Sequence, residues 1–184
     1  MNRSEVRPLM IEAAARLLAT KGLEGTSFAH VLAATGGPRG SVYHHFPGGK
    51  AELVHAALEL ASSRGIAAME AARGQSPEIV AEVYLSLWRQ LLDKTQLLVG
   101  CAVLAVTVAA DDPALLEHAG DIFKAWTQRL SELLVAGGMA AERATSLATL
   151  LVAAVEGAVV LCRAQGSREP FDRVSDMLVQ AAKA

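Results

Sequence analysis

Apolar residues recur at intervals of three and four along most of the chain, which is the spacing of helices with one buried face. Helices are predicted over residues 4–21 or 8–21, 28–35, 50–72, 77–94, 113–136, 140–165 and 170–182. The continuous apolar run at residues 100–110 contains β-branched residues, but no other segment could pair with it as a strand. We therefore expect a short buried helix there and an all-α fold class.

The segment from residue 26 to residue 50 carries the signals of two short helices joined by a very tight turn. Ser27 is a good N-cap, because its hydroxyl can accept a hydrogen bond from an unpaired backbone N–H. Gly36 suits the left-handed position that ends the first helix, and Gly37 leaves the chain free to turn. Pro38 suits the first turn of the next helix, where its missing N–H costs nothing. This spacing predicts a helix-turn-helix, whose second helix enters the major groove of DNA.

The second helix of this motif begins with residues that suit contact with base edges. Arg39 offers a forked donor for guanine O6 and N7, Ser41 is a small hydrogen-bonding residue, and Gly40 permits close approach of the backbone. Positive charge also gathers here, since residues 1–50 have a net charge of +3 and residues 51–184 a net charge of −5. The motif is therefore the expected DNA-binding end of the chain.

The end of the motif suits contact with the DNA backbone. Tyr43, His44 and His45 offer hydroxyl and imidazole donors to phosphate oxygens. The glycines at 48–49 are predicted to leave bare backbone N–H groups at the start of a long helix, beside Lys50. Such a helix start favours a phosphate group.

Taken together, these residues resemble the DNA-binding signature of the tetracycline-repressor (TetR) family over residues 4–60. The resemblance is carried by Thr26-Ser27-Phe28 and by Gly36-Gly37-Pro38-Arg39-Gly40-Ser41-Val42-Tyr43-His44-His45-Phe46-Pro47-Gly48-Gly49-Lys50. It implies an N-terminal three-helix DNA-binding domain and a C-terminal helical domain that binds a ligand and dimerises. The predicted DNA-binding residues are Ser27, Pro38, Arg39, Gly40, Ser41, Tyr43, His44, His45 and Lys50. Many members carry a polar residue such as serine at position 38, and proline keeps the bend but loses the hydroxyl contact to phosphate.

Two other readings of the motif are excluded by spacing. Adjacent helical residues project about 100° apart, so His44 and His45 are poor partners for one metal ion. A phosphate-binding loop of the type G-x-x-x-x-G-K would need glycine at position 44 and a hydroxyl residue after Lys50, where Ala51 stands. We therefore expect no metal and no cofactor.

The composition is that of a soluble intracellular protein. The 184 residues are 52% apolar, which is enough for one good core or two small ones. Arg3, Glu5 and Arg7 near the N-terminus do not fit a signal peptide, so we expect a cytoplasmic protein. Cys101 and Cys162 stand far apart and lack metal-ligand spacing, which predicts buried thiols.

The chain is predicted to divide into a helix-turn-helix DNA-binding domain at 1–48 and a helical ligand-binding and dimerisation domain at 49–184. The helix at 140–165 is apolar nearly all round, and a body this small cannot surround it, so we expect it to meet a partner chain. With the last helix it would form an intermolecular four-helix bundle, which is also where TetR-like proteins dimerise. The predicted dimer residues are Leu151, Val155, Val159, Phe171, Val174 and Leu178.

Aromatic and acidic residues of the middle helices are candidates for a ligand pocket. These candidates are Tyr84, Trp88, Phe123, Trp126 and Glu156. For each aromatic residue the alternative is an ordinary core position. Glu156 interrupts an apolar stretch, and we expect it either to pair with Arg89 or Arg163 or to face a cationic or hydroxylated ligand.

These observations favour a ligand-responsive, sequence-specific DNA-binding regulator that acts as a homodimer. The resemblance implies a repressor that leaves a palindromic DNA operator when a small apolar or aromatic effector binds the C-terminal domain. The alternative is a helical ligand-binding or scaffold protein whose helix-turn-helix is only structural. A helical-bundle enzyme with a di-iron site would need two Glu-x-x-His pairs, and only Glu52 and His55 are so spaced, so we expect no enzyme.

Overall fold

The structure, a computed structural model, describes residues 3–37 and 41–183, with side chains from 6–37 and 42–183. The helices are α1 (Arg3–Lys21), α2 (Phe28–Thr35), α3 (Ser41–His45), α4 (Gly49–Met69), α5 (Pro77–Lys94), α6 (Ala102–Ala109), α7 (Pro113–Ala136), α8 (Ala141–Gln165) and α9 (Glu169–Lys183). A 3₁₀ turn at Glu70–Ala72 follows α4. No strand occurs in the described ranges, and the all-α prediction is confirmed.

The first compact unit consists of Met1–Ser63 and Cys101–Ile122. In this unit α1 packs against α2 and α6, and its core is apolar. The largest buried side chains of the unit are Phe46, Met10, Leu18, Leu53 and Leu58. Because α6 lies against α1, the apolar run that forms α6 covers the helix that supports the helix-turn-helix.

The second compact unit consists of Arg64–Gly100 and Phe123–Ala184. Here α8 packs along α9 and against α5, and α9 also packs against α5. The largest buried side chains of this unit are Phe171, Leu85, Leu92, Leu130, Leu133, Leu134 and Leu151. Helix α8 is long and apolar enough to cross a membrane by those two criteria, but half of its most apolar window is buried inside the protein. It is the core helix of this unit.

The two compact units divide the chain differently from the predicted boundary at residue 48. The limits of the units fall inside α4 and inside α7, so each of these two helices contributes residues to both units. Residues 101–122 group with the helix-turn-helix although they come much later in the sequence. No local signal in the sequence marks that grouping.

Candidate nucleic-acid interface

Helix α2 begins and ends at the predicted signals. The hydroxyl of Ser27 accepts a hydrogen bond of 3.2 Å from the backbone N–H of His30, and so caps α2. The imidazole Nδ1 of His30 lies 3.1 Å from the same hydroxyl. Gly36 ends α2 in the left-handed conformation, with φ of 69°, and donates its N–H to Leu32. The predicted N-cap and C-cap of α2 are confirmed, and Pro38, the predicted start of the next helix, lies outside the described residues.

Helix α3 has one polar side that faces outward, and the apolar residues beside it are buried in the core. Val42 and Phe46 are fully buried, whereas Tyr43 is 67% exposed and His44 is exposed. The rings of Tyr43 and Phe28 pack edge to face, with centroids 5.3 Å apart and an interplanar angle of 82°. The Tyr43 hydroxyl is therefore carried outward on a ring that the neighbouring helix holds in place.

The two adjacent histidines of α3 differ in exposure. His44 is exposed and His45 is partly buried, with ring centroids 5.4 Å apart and planes 66° apart.

The predicted residues Pro38, Arg39 and Gly40 lie outside the described residues, and so does the side chain of Ser41.

Arg7 of α1 holds the end of α3, which sequence reasoning did not anticipate. Its Nε donates to the His45 carbonyl at 3.4 Å, and its guanidinium carbon lies 5.0 Å from the centroid of the Phe46 ring. Its Nη2 lies 3.5 Å from Oε1 of the Glu52 carboxylate. Arg7 thus joins α1, α3 and the first turn of α4 within this unit.

The start of α4 differs from the predicted phosphate site. The N–H of Gly48 donates to Glu52 Oε2 at 2.9 Å, and the N–H of Gly49 donates to the Phe46 carbonyl at 3.0 Å. Neither group is bare, because the Glu52 side chain accepts the Gly48 N–H and a backbone carbonyl accepts the Gly49 N–H. Lys50 lies in the first turn of α4 and is partly exposed, so it remains available to an anion.

The predicted ligand residues lie in the second unit, on α5, α7 and α8. Phe123 and Trp126 are in edge contact, with centroids 5.7 Å apart and an interplanar angle of 87°. Trp126 is buried and its ring lies against Gly65, where an added Cβ would come within 3.4 Å of the indole nitrogen. Tyr84 and Glu156 are buried, and Trp88 and Phe123 are partly exposed. The expected pairing of Glu156 stays a prediction, and Arg89 lies over the Phe171 ring at 6.0 Å.

Most of the predicted dimer residues belong to the core of their own chain. Leu151, Val155, Val159, Phe171 and Leu178 are each at most 3% exposed, and only Val174 is partly exposed. This corrects the prediction, because a side chain that its own protomer covers offers no surface to a partner. The opposite side of α8 is the exposed one, and it carries Leu150, Gly157, Val160 and Leu161.

Both parts of the chain match models of known families. Residues 10–57 match the model described as bacterial regulatory proteins of the tetR family. Residues 77–177 match the model described as the C-terminal domain of LmrA/YxaF-like transcriptional regulators.

Relatives match over nearly the full length of the chain. An HTH-type transcriptional regulator of Mycobacterium tuberculosis is 31% identical over 94% of this chain and 91% of its own length. The HTH-type transcriptional regulator LmrA of Bacillus subtilis is 27% identical, with all of both chains covered. The crystal structure of a TetR transcriptional regulator from Legionella pneumophila shares the fold, with a TM-score of 0.86, 20% identity and coverage of 99% of this chain and 98% of that one.

The family and these relatives are transcriptional regulators and not enzymes. TetR-family regulators bind DNA operators and act as dimers. The helix-turn-helix described above is the DNA-binding part of such a regulator. The chain belongs to the TetR family of bacterial transcriptional regulators.

Proposed function

We propose that this regulator is a homodimeric repressor that binds a palindromic operator in the cytoplasm and leaves it when a small apolar or aromatic molecule binds the second unit. The proposal that the protein binds DNA rests on α3 and the residue that follows it, where Tyr43 and His44 are exposed and Val42 and Phe46 are buried. Contact with a DNA groove and its phosphates requires a short helix that is anchored by buried apolar residues and has an exposed polar face.

The outward side of α8 supports a dimer. Between Ala144 and Cys162 every outward position of α8 is uncharged, and Leu150, Val160 and Leu161 are each about half exposed, at 49%, 51% and 48%. On α9, which packs along α8, Met177 is 72% exposed. We call Leu150, Gly157, Val160, Leu161 and Met177 the outer face. Apolar side chains on adjacent helices are suited to a four-helix bundle with a second copy.

Gly157 lies in the middle of the outer face on α8. A Cβ built at this glycine would meet no described atom of its own chain within 4 Å, so the position opens outward. A small residue there would let a partner helix approach closely. A two-fold dimer would then present two copies of α3 to half-sites about 34 to 36 Å apart, which requires a palindromic operator.

The effector is proposed to bind near the partly exposed Trp88 and Phe123, which combine apolar surface with access from outside.

Helix α4 begins directly after the turn that follows α3 and runs to Met69, so it is a continuous covalent link from the DNA-contacting helix. If DNA and effector prefer different dimer shapes, each weakens the binding of the other by the same factor.

The experiment for the DNA part is selection of random duplex DNA by the purified full-length protein. We expect enrichment of a palindrome, which then serves as the operator in affinity measurements. Replacing Tyr43 by Phe keeps the ring contact with Phe28 but removes the hydroxyl, and loss of a hydrogen bond to a charged phosphate, worth about 1.5–3 kcal/mol, should weaken binding roughly 10- to 100-fold. Failure of a folded dimer to enrich any sequence at low salt would refute the proposal and support a structural role for the motif.

The experiment for the effector uses the two tryptophans of the chain, Trp88 and Trp126, as reporters. An apolar effector should change their fluorescence over the same concentration range in which it releases the operator. Replacing Trp88 by Phe should change the effector affinity while leaving the operator affinity of the free protein unchanged. Release of DNA without any dependence on Trp88 or Phe123 would place the effector elsewhere.

A further inference from the structure

In the first unit, three side chains with metal-binding atoms converge between α4 and α7. His55 and Glu59 are four residues apart on α4 and so share one face of that helix. His118 of α7 faces them, and the ligand atoms of all three residues lie within 4.8 Å of one another. We infer that His55, Glu59 and His118 form a binding site for a divalent transition-metal ion of the Zn²⁺ class. This inference does not depend on the proposed operator or effector.

One of the distances between the ligand atoms already suits such an ion. In a tetrahedral zinc site with bonds of about 2.0–2.2 Å, neighbouring ligand atoms stand roughly 3.3–3.5 Å apart. His118 Nε2 already lies 3.2 Å from Glu59 Oε1. The imidazoles of His55 and His118 are stacked, with ring centroids 3.6 Å apart and planes 10° apart, so the rings must tilt out of this parallel arrangement before both can direct a nitrogen at one ion.

The environment of His118 favours a ligand over an ordinary surface histidine. Its side chain is only 12% exposed, and its Nε2 is buried and makes no hydrogen bond with the described residues, despite the nearby carboxylate. Burial lowers the pKa of His118, His55 lowers it further, and Glu59 acts in the opposite direction. A buried nitrogen without a hydrogen-bond partner is available to an incoming metal ion.

The donor set selects the class of ion. Two imidazoles and one carboxylate suit Zn²⁺, Ni²⁺ or Co²⁺, whereas Mg²⁺ and Ca²⁺ prefer oxygen ligands. Three protein ligands leave a fourth position for water or another small ligand. His55 is exposed and the side chain of Glu59 is 59% exposed, so an ion can reach the site from solvent.

The test is titration of the untagged, chelator-treated full-length protein with Zn²⁺ by calorimetry, with excess Mg²⁺ present. We expect one Zn²⁺ per chain. Replacing His55 or His118 by Ala should weaken binding by at least about 100-fold, since even the outer partners of metal ligands are worth 10- to 100-fold. Glu59→Gln keeps the shape of an exposed side chain and should also weaken binding. At a 100-fold excess over the dissociation constant, Zn²⁺ should raise the Tm of the unaltered protein by roughly 5 to 10 °C.

The matched controls are the histidines outside the cluster. His30→Ala, and the double change of His44 and His45 to Ala, should bind Zn²⁺ as the unaltered protein does. The inference is overturned if the unaltered protein binds no stoichiometric Zn²⁺, if Glu59→Gln and His55→Ala bind as tightly as the unaltered protein, or if only the His44 and His45 change abolishes binding. Because the readout is metal affinity, failure to bind DNA would leave this result unaffected.

Discussion

A charge placed on the outer face should separate the proposed dimer while leaving each protomer folded. Leu161 is the residue of choice, because it lies on α8 with 48% of its surface exposed in the single chain. The change Leu161→Glu removes an apolar side chain from the proposed contact and introduces a carboxylate. In the separated protomer the carboxylate can stay in water, so little stability should be lost there.

The size of the effect follows from the exposed fraction. Full burial of a leucine side chain is worth about 1.5–3 kcal/mol, so covering the exposed half of Leu161 contributes roughly 0.7–1.5 kcal/mol in each protomer. A two-fold interface contains Leu161 twice, so the change removes roughly 1.5–3 kcal/mol, or about 10- to 100-fold in the dimer dissociation constant. Burying the two introduced carboxylates costs further free energy, so we expect the change to weaken the dimer by at least about 100-fold in total.

Sedimentation over a range of protein concentrations measures this dissociation constant, and circular dichroism checks that the helices remain. Leu98→Glu is the matched control, since Leu98 is 63% exposed but lies outside α8 and α9. The control should dimerise like the unaltered protein. A Leu161→Glu protein that dimerises as tightly as this control would refute the proposed interface. Loss of helix in Leu161→Glu would instead show that Leu161 stabilises the protomer.

Three further predictions concern stability and reactivity. Ser27→Ala removes the cap of α2 and should lower the free energy of unfolding by about 1 kcal/mol in urea melts, whereas Ser27→Asn should retain most of it. Arg129 lowers the pKa of Glu70 and of Glu132 below the usual 4.5, so below about that pH the unfolded chain binds more protons than the folded chain. The stability that these carboxylates contribute above pH 4.5 is therefore lost as the pH falls through their lowered pKa values. In the Arg129→Gln protein, the urea midpoint of unfolding should fall less steeply as the pH is lowered in this range. Burial raises the pKa of the Cys162 thiol, so a thiol reagent at neutral pH should modify Cys162 only after denaturation, and rapid modification of the folded protein would contradict this.

Helices and caps could be predicted from the sequence because their signals are local. Ser27 and Gly36 act on backbone groups within four residues of themselves, and the structure has both in the predicted roles. The run at residues 100–110 was also predictable as a helix, since a lone strand would leave its backbone groups unpaired. Helix α6 occupies Ala102–Ala109 as a result.

Partners from distant segments could not be predicted in the same way. Arg7 meets His45 and Glu52 only because α1 folds back against the motif, and no spacing in the sequence encodes that contact. The same holds for His118, whose partner His55 belongs to an earlier helix. Glu52 further shows how a local prediction fails, because its carboxylate takes the Gly48 N–H that was predicted to be bare.

The composition of α8 has two separate causes, and this explains why its dimer residues were misplaced. An apolar residue on α8 either covers the core of its own unit, as Leu151 and Val155 do, or lies outward, as Val160 and Leu161 do. Periodicity cannot distinguish these two sides when both are apolar, since each repeats every three to four residues. The exposed fraction in the folded protomer separates them, and the outward side includes a glycine with open space above it. A buried apolar side and an outward apolar side that includes a small residue are what a helix needs if its own protomer covers one side and a second copy covers the other.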